Sequence, residues 1–276
     1  MENNNQTCKP KISVIMGVYN SSKTLPESIQ SIQNQTFKNW ELIICDDAST
    51  DDTYAVACTM AEGDSRIKVI KNSQNKKLAY SLNQCLKIAL GQYIARMDAD
   101  DIAKDNRFEK QAEFLDLHPE YAVVGSAAEV SNGEQIFEVR SMKAEPTTDD
   151  VLFGAPFIHP SIMMRKEVYD DLEGYTVAKR TIRGQDRDLW FRFFAKGYKG
   201  YNLQETYLTY FERPNEHKKR DFLTMTRSIR TSFYGYRLLK VPVWKYIFLV
   251  RIIISYATPQ WLKRYVRKVN KRNNRL

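Results

Sequence analysis

Strand-length apolar runs alternate with helix-period stripes along the first hundred residues. Residues 11–19 read Lys-Ile-Ser-Val-Ile-Met-Gly-Val-Tyr, a nearly continuous apolar run that suits a central strand covered on both faces. Residues 41–45, 66–70 and 92–97 form three further runs of this kind. Between them Leu25, Ile29 and Ile32, and later Leu78, Leu82, Cys85, Leu86 and Ala89, recur at helical spacing. Thr24 to Glu27 has the spacing of a capping box with Pro26 in the first turn, and Ser49 with Asp52 makes a second cap signal. Gly91 sits where a glycine just past a helix end belongs. The resulting β-α-β-α-β-α-β order predicts an α/β fold with a mostly parallel sheet flanked by helices and joined by right-handed crossovers. Beyond it the pattern predicts a helix over 107–117, a strand over 121–126 and a polar, turn-rich stretch over 131–150. Strands over 161–165 and 203–212 then flank a helix over 185–196. No internal repeat or low-complexity linker interrupts the chain.

Ligands of such sheets gather outside the carboxyl ends of the strands. Three clusters fall at those ends: Tyr19-Asn20, Asp46-Asp47 and Asp98-Ala-Asp-Asp101. The last crowds three carboxylates into four residues, which repel one another unless a cation or solvent screens them. Asp98 and Asp100, spaced i, i+2, can grip one Mg²⁺ or Mn²⁺ and leave positions for phosphate oxygens. The competing reading is a solvated acidic turn with Asp98 or Asp105 capping a helix. A carboxylate of Asp46-Asp47 can accept hydrogen bonds from a base or a ribose, or simply cap the next helix. Tyr19 can stack on a base or be an ordinary half-buried aromatic. Asp186 opens the helix over 185–196, where the helix dipole holds a carboxylate ionised, either as a general base or as a favourable end charge. His159 has only His118 and His217 for company in the whole chain, and on residues alone it reads as structural. No G-x-S-x-G, H-E-x-x-H, G-x-G-x-x-G or Walker A sequence is present, which argues against those hydrolase, redox and P-loop chemistries.

Composition changes the picture in two places. The four cysteines include no CxxC pair and three of them lie in apolar segments, so buried free thiols in a reducing cytosol are expected. No charged-then-apolar leader opens the chain, so export is not expected. The net charge of +9 hides an asymmetry: residues 1–212 hold 25 Lys/Arg against 31 Asp/Glu, and residues 213–276 hold 17 against 2. An acidic body therefore carries a basic tail, which calls for an anionic surface. Residues 241–262 are strongly apolar apart from Lys245 and Arg251, with Trp244, Tyr246, Tyr256 and Trp261 suited to an interface, and residues 263–275 are polybasic. Attachment in the plane of the cytoplasmic leaflet is expected, against a helix packed on the domain with a loose basic end. Three parts follow: a disordered N-terminus over 1–10, the α/β domain over 11–212, and a basic, partly amphipathic helical extension over 213–276.

Taken together, these residues resemble the family 2 glycosyltransferases, inverting enzymes of the GT-A fold. The resemblance rests on Ile12 to Asn20, Leu25 to Phe37, Trp40 to Thr53, Asn75 to Asn83 and Tyr93 to Ile102, five motifs in order across roughly residues 10 to 212. It implies that Tyr19 and Asp47 meet the nucleotide base, that Asp98 serves the ribose and metal region, and that Asp100 ligates Mn²⁺ or Mg²⁺. It also implies that Asp186 is the base deprotonating an acceptor hydroxyl, and that His159 lies near the diphosphate or acceptor. The chain departs from the family in two places. Gln185 stands where an acidic residue often precedes the base, and Lys77 stands where a glycine is common, so its cation either meets the donor diphosphate or projects into solvent. The implied donor is a nucleotide-sugar, a UDP-sugar foremost, and the implied acceptor is a glycan or lipid-linked hydroxyl in cell-surface polysaccharide synthesis. The implied location is cytoplasmic, peripheral on the inner face of the membrane. A Mg-dependent nucleotidyltransferase and a nucleic-acid-binding protein with a basic tail are the alternatives. The first lacks a Gly- and Arg-rich phosphate loop, and the second has an acidic core without a nucleic-acid motif.

Overall fold

The computed structural model describes residues 9–212 and 222–258. Strand β1 (Ile12–Val18) is buried almost throughout, with Ile12, Val14, Met16 and Val18 packed into one core layer and Ile15 into the other. That two-sided burial is why the strand reads as a continuous apolar run. Helix α1 (Leu25–Gln33) buries its Leu25, Ile29 and Ile32 stripe in the first layer. Strand β2 (Trp40–Asp46), helix α2 (Thr53–Glu62), strand β3 (Ile67–Lys71), helix α3 (Leu78–Ile88) and strand β4 (Tyr93–Arg96) complete the alternating half. Its strands lie in the order β3-β2-β1-β4, all parallel.

The parallel pairing ends where the alternation ends. Strand β5 (Ile102–Ala103), helix α4 (Arg107–Leu117), strands β6 (Val123–Ser131) and β7 (Ile136–Arg140), helix α5 (Thr148–Phe153), strand β8 (Met163–Arg165), helix α6 (Lys166–Asp171), helix α7 (Gln185–Ala195) and strand β9 (Gly200–Phe211) follow. Strand β8 runs antiparallel between β4 and β6, β6 pairs β9 in parallel, and β5 and β7 pair antiparallel at the margins, so the nine-stranded sheet is mixed. The polar stretch over 131–150 thus contains a strand. Its Ile136, Phe137 and Val139 are exposed, so no buried face marked it in advance.

Neither predicted helix cap forms through a side-chain bond: α1 and α2 begin at Thr24 and Asp52 without one. Asp51 does related work, accepting from the Thr53 amide at 3.1 Å and the Ser22 hydroxyl at 2.7 Å, and so ties the first two strand-to-helix loops together. Asp105 is likewise not the cap of α4, which starts after Asn106. Gly91 serves close approach rather than helix termination. A Cβ there would lie 2.5 Å from the Ser13 amide nitrogen, so only glycine lets the chain enter β4 across β1. Cys45 and Cys85 are buried, Cys58 is half-buried, and all three are unpaired, in line with the thiol expectation.

The C-terminal extension is helical where it is described. Helix α8 (Phe222–Leu238) packs on α7, with Gly235 so close to the Phe191 ring that a Cβ would overlap it at 2.2 Å. A 3-10 turn (Val243–Ile247) leads into helix α9 (Phe248–Ala257). Most of the expected N-terminal tail, residues 1–8, and the polybasic end over 263–275 lie outside the described residues.

Candidate active site

Parallel register brings the strand ends to one rim. Val18 lies opposite Asp46 and Asp46 opposite Lys71, while the Met97 amide still pairs with Ile15 as β4 ends. Tyr19 leaves β1 at this rim with 47% of its surface exposed. Beside it the Asn20 amide donates to Ser49 Oγ at 3.0 Å, and the Thr50 amide donates to Asn20 Oδ1 at 2.9 Å. Asp47 is buried and its oxygens are engaged. Oδ1 accepts from the Asn72 side chain and the Lys76 amide, and Oδ2 accepts from the Lys77 amide, each at 2.8 Å. Asp47 therefore clamps the loop between β3 and α3, a role its sequence position did not reveal because its partners stand at least 25 residues away. Lys77, at the end of that loop, holds φ 74° and ψ 162°, a conformation suited to glycine.

The acidic turn separates into three different environments. One carboxylate oxygen from each of Asp98, Asp100 and Asp101 lies within 4.8 Å of the others. Asp101 points inward: it is fully buried, its Oδ1 accepts from the Phe211 amide at 3.1 Å, and its Oδ2 has no hydrogen-bond partner. Burial first, then the charges of Asp98 and Asp100, push its carboxyl well above the ordinary range. Asp98 is half-buried and ion-paired with Arg96, while Asp100 is exposed at the lip. The crowding seen in the sequence is thus eased by the burial of one acid, whose carboxyl is held well above its usual range, and by one cation. Asp98, half-buried, and Asp100, exposed, remain as carboxylate oxygen donors, which fits an ion that takes one or two carboxylates and completes its shell with phosphate.

Arg96 is the residue the sequence reading passed over. It ends β4 with 2% of its surface exposed. Burial opposes its charge, and Asp98, ahead of Tyr175 and Asp101, more than restores it. Its field reaches the other half of the site: it adds to burial in lowering His159, and it opposes the burial that raises Tyr175 and Asp186. A lone arginine inside an apolar strand, two residues before an acidic turn, was the available signal.

His159 lies on a 3-10 turn (His159–Ser161) ahead of β8. Its Nε2 meets the Tyr175 hydroxyl at 2.8 Å, and that hydroxyl meets the Tyr169 hydroxyl at 2.9 Å. Burial, followed by the charge of Arg96, drives its pKa well below the ordinary value, so the ring is neutral, and its Nδ1 has no partner. The ring also stands edge-on to Trp190 with centroids 5.5 Å apart, one helical turn beyond Asp186 on α7. Asp186 is half-buried in the first turn of α7, and burial raises its pKa against the Arg187 amide and Arg96. Asp188, two residues on, is different. It is buried and held by Arg180, by Arg192 at 3.0 Å and by Thr176 at 2.5 Å, a structural clamp. The structure therefore links Asp98, Asp101, His159 and Asp186 through Arg96, with Asp100 in the same acidic turn. It gathers Tyr19, Asp47 and Lys77 at the adjoining strand ends.

Residues 13–173 match the family model described as Glycosyl transferase family 2. The chain is 45% identical to EpsE of Bacillus subtilis (strain 168) over 251 residues, covering 91% of this chain and 90% of that protein. It is 31% identical over 198 residues to WfaP of Escherichia coli, a UDP-Glc:alpha-D-GlcNAc-diphosphoundecaprenol beta-1,3-glucosyltransferase, covering 71% and 76%. Among solved structures, residues 1–349 of Staphylococcus aureus TarS in complex with UDP superpose with a TM-score of 0.68 at 18% identity, covering 91% of this chain and 73% of that one, a likeness of fold. The chain belongs to glycosyltransferase family 2, and its fold is of the GT-A kind. It is a glycosyltransferase, and the nucleotidyltransferase alternative falls away.

Proposed function

We propose that the chain is an inverting, metal-dependent glycosyltransferase that moves a sugar from a nucleoside-diphosphate donor, a UDP-sugar foremost, to a hydroxyl of a glycan or lipid-linked acceptor in cell-surface polysaccharide synthesis. The observation that carries this reading is the acidic turn at the strand-end rim, where one carboxylate oxygen from each of Asp98, Asp100 and Asp101 lies within 4.8 Å of the others and Asp98 is ion-paired to the buried Arg96. Tyr19 cradles the base, Asp47 supports the base side through the loop it clamps, and Asp98 serves the ribose. Asp186 accepts the proton of the acceptor hydroxyl as that oxygen bonds to the anomeric carbon. The bond from that carbon to the diphosphate breaks in the same in-line step, leaving the electron pair on the diphosphate. Asp100 and Asp98 would hold Mn²⁺ or Mg²⁺, which when bound would supply Lewis-acid neutralisation of the departing diphosphate. Lys77 and the neutral His159 are the further candidates for contact with diphosphate or acceptor. The activity of WfaP on a lipid-diphosphate acceptor with UDP-glucose supports the donor and acceptor classes, and the basic C-terminal segment supports work on the anionic inner face of the cytoplasmic membrane.

A panel of nucleotide sugars with Mn²⁺ or Mg²⁺, read by thermal shift and by donor hydrolysis, tests this function. Stabilisation by one nucleotide class, dependent on metal, is expected. No stabilisation by any donor overturns the reading.

A further inference from the structure

Two arginines converge on the end of α5, next to the catalytic rim. Arg187 directly follows Asp186 and donates from Nη2 to the Leu152 carbonyl at 3.2 Å, while its Nε is buried without a partner. Arg251, on α9, has its guanidinium carbon 5.7 Å from the centroid of the Phe153 ring. Leu152 and Phe153 are adjacent, so both cations sit at one corner, and the charge of Arg251 adds to burial in lowering Arg187. Bringing two like charges together disfavours both unless an anion offsets them.

The same corner carries an apolar stripe. Phe248 packs inward on Phe153 with ring centroids 4.7 Å apart, and Leu249 joins the core. Val243, Trp244, Ile247, Val250 and Ile254 face outward with between 43% and 85% of their surface exposed, and Phe153 continues the stripe at 46%. Large side chains exposed in a row mark a docking surface. Residues 222–258 contain six Lys/Arg and no Asp or Glu. A symmetric contact of this face with a second copy would bring those cations together, so charge favours an anionic surface over a symmetric dimer here. An apolar helix face with a tryptophan near its start and cations beside it matches the headgroup boundary of a bilayer. No helix among the described residues is long and apolar enough to cross a membrane, so the fit is to the surface.

We infer that this corner is a lipid-docking surface. The stripe from Val243 to Ile254 enters the headgroup region of an anionic bilayer, Arg251 backed by Arg187 meets a lipid phosphate, and the site beside Asp186 is thereby held against the leaflet. The inference rests on the reading of Asp186 as the base for a lipid-linked acceptor, since docking here presents that residue to a hydroxyl emerging from the membrane.

Co-sedimentation of the full chain with vesicles of phosphatidylcholine alone, or mixed with phosphatidylglycerol, tests it. Binding to the anionic vesicles is expected. The pair Trp244→Ser with Ile254→Ser should weaken it about tenfold and Arg251→Gln about fivefold. A second measurement leaves the surface intact: in a Trp261→Phe background, Trp40 and Trp190 are buried, so quenching by brominated lipid reports Trp244. Unquenched Trp244, equal binding to neutral vesicles, undiminished binding by the variants, or a dimer that the Trp244 and Ile254 changes dissolve would each overturn the inference. A metal-dependent thermal shift with donor on the same preparations separates this failure from failure of the proposed function.

Discussion

Arg96 and Asp98 form an ion pair in which the cation is buried and the carboxylate stands 30% exposed at the mouth of the site. The pair joins the floor of the sheet to the acidic turn, and its charge is shared with every titratable group that the proposed chemistry uses on the far side. Removing Arg96 takes away the buried cation and leaves Asp98 unpaired but partly solvated, which costs about 1–3 kcal/mol. Arg96→Met is therefore expected to lower the melting temperature by roughly 2–12 °C. Added Mn²⁺ should recover more stability in this variant than in the parent, because the unpaired acids gain a substitute cation. Differential scanning fluorimetry with and without Mn²⁺ measures both, and a variant as stable as the parent would show the pair to be dispensable.

Asp186 is predicted to oppose stability while serving catalysis. Burial raises its carboxyl above the ordinary 3.8, so the folded protein ionises it less readily than the unfolded chain does. Stability is then lost as pH rises from that ordinary value through the raised one, and the loss is complete above both. Asp186→Asn should melt higher than the parent at neutral pH, with the difference vanishing in acid. Transfer should fall by about 10²–10⁴-fold while donor affinity is kept. In the parent, transfer should decline as pH falls through the raised value, since the base must be ionised. Loss of donor binding in the variant would reassign Asp186 to structure.

The first four strands and three helices were legible because each is a simple periodic pattern, apolar throughout in doubly covered strands and striped in helices. Helices over 107–117 and 185–196 were legible for the same reason. Strand β7 was not, because its apolar residues face solvent. The roles proposed for Asp186, as base, and His159, near the diphosphate or acceptor, came from resemblance, since each residue alone reads as a helix-end charge or a core imidazole. Arg96 and the clamp role of Asp47 were hidden because they depend on partners brought together by the fold. Asp98, Asp100 and Asp101 look equivalent along the chain, and only burial tells them apart.

That difference in burial can be tested at Asp101. A carboxyl held well above its usual range accepts one backbone hydrogen bond and is matched in shape by asparagine. Asp101→Asn is expected to fold with a melting temperature near that of the parent and to bind Mn²⁺ with little change. Asp101→Ala should lose about 1–3 kcal/mol, because the Phe211 amide is left without its acceptor. Asp100→Asn, by contrast, should abolish Mn²⁺ binding measured by calorimetry while leaving the melting temperature intact. Equal loss of metal in Asp100→Asn and Asp101→Asn would show that Asp101 is a charged ligand.

Lys77 combines a backbone strain with a possible ligand contact, and two substitutions separate them. At φ 74° and ψ 162° a side chain costs about 1–3 kcal/mol, which glycine avoids while adding up to about 1 kcal/mol of unfolded-state entropy. Lys77→Gly should therefore raise stability by about 1 kcal/mol, keeping the amide bond to Asp47 at 2.8 Å. Lys77→Ala retains the strain and removes only the amine, so its melting temperature should stay near that of the parent. If the amine meets the donor diphosphate, both variants should raise the KM for donor by a similar factor, although only the glycine variant melts higher. A rise in KM for the glycine variant alone would place the effect in the loop that Asp47 clamps, and an unchanged KM in both would put the Lys77 amine in solvent.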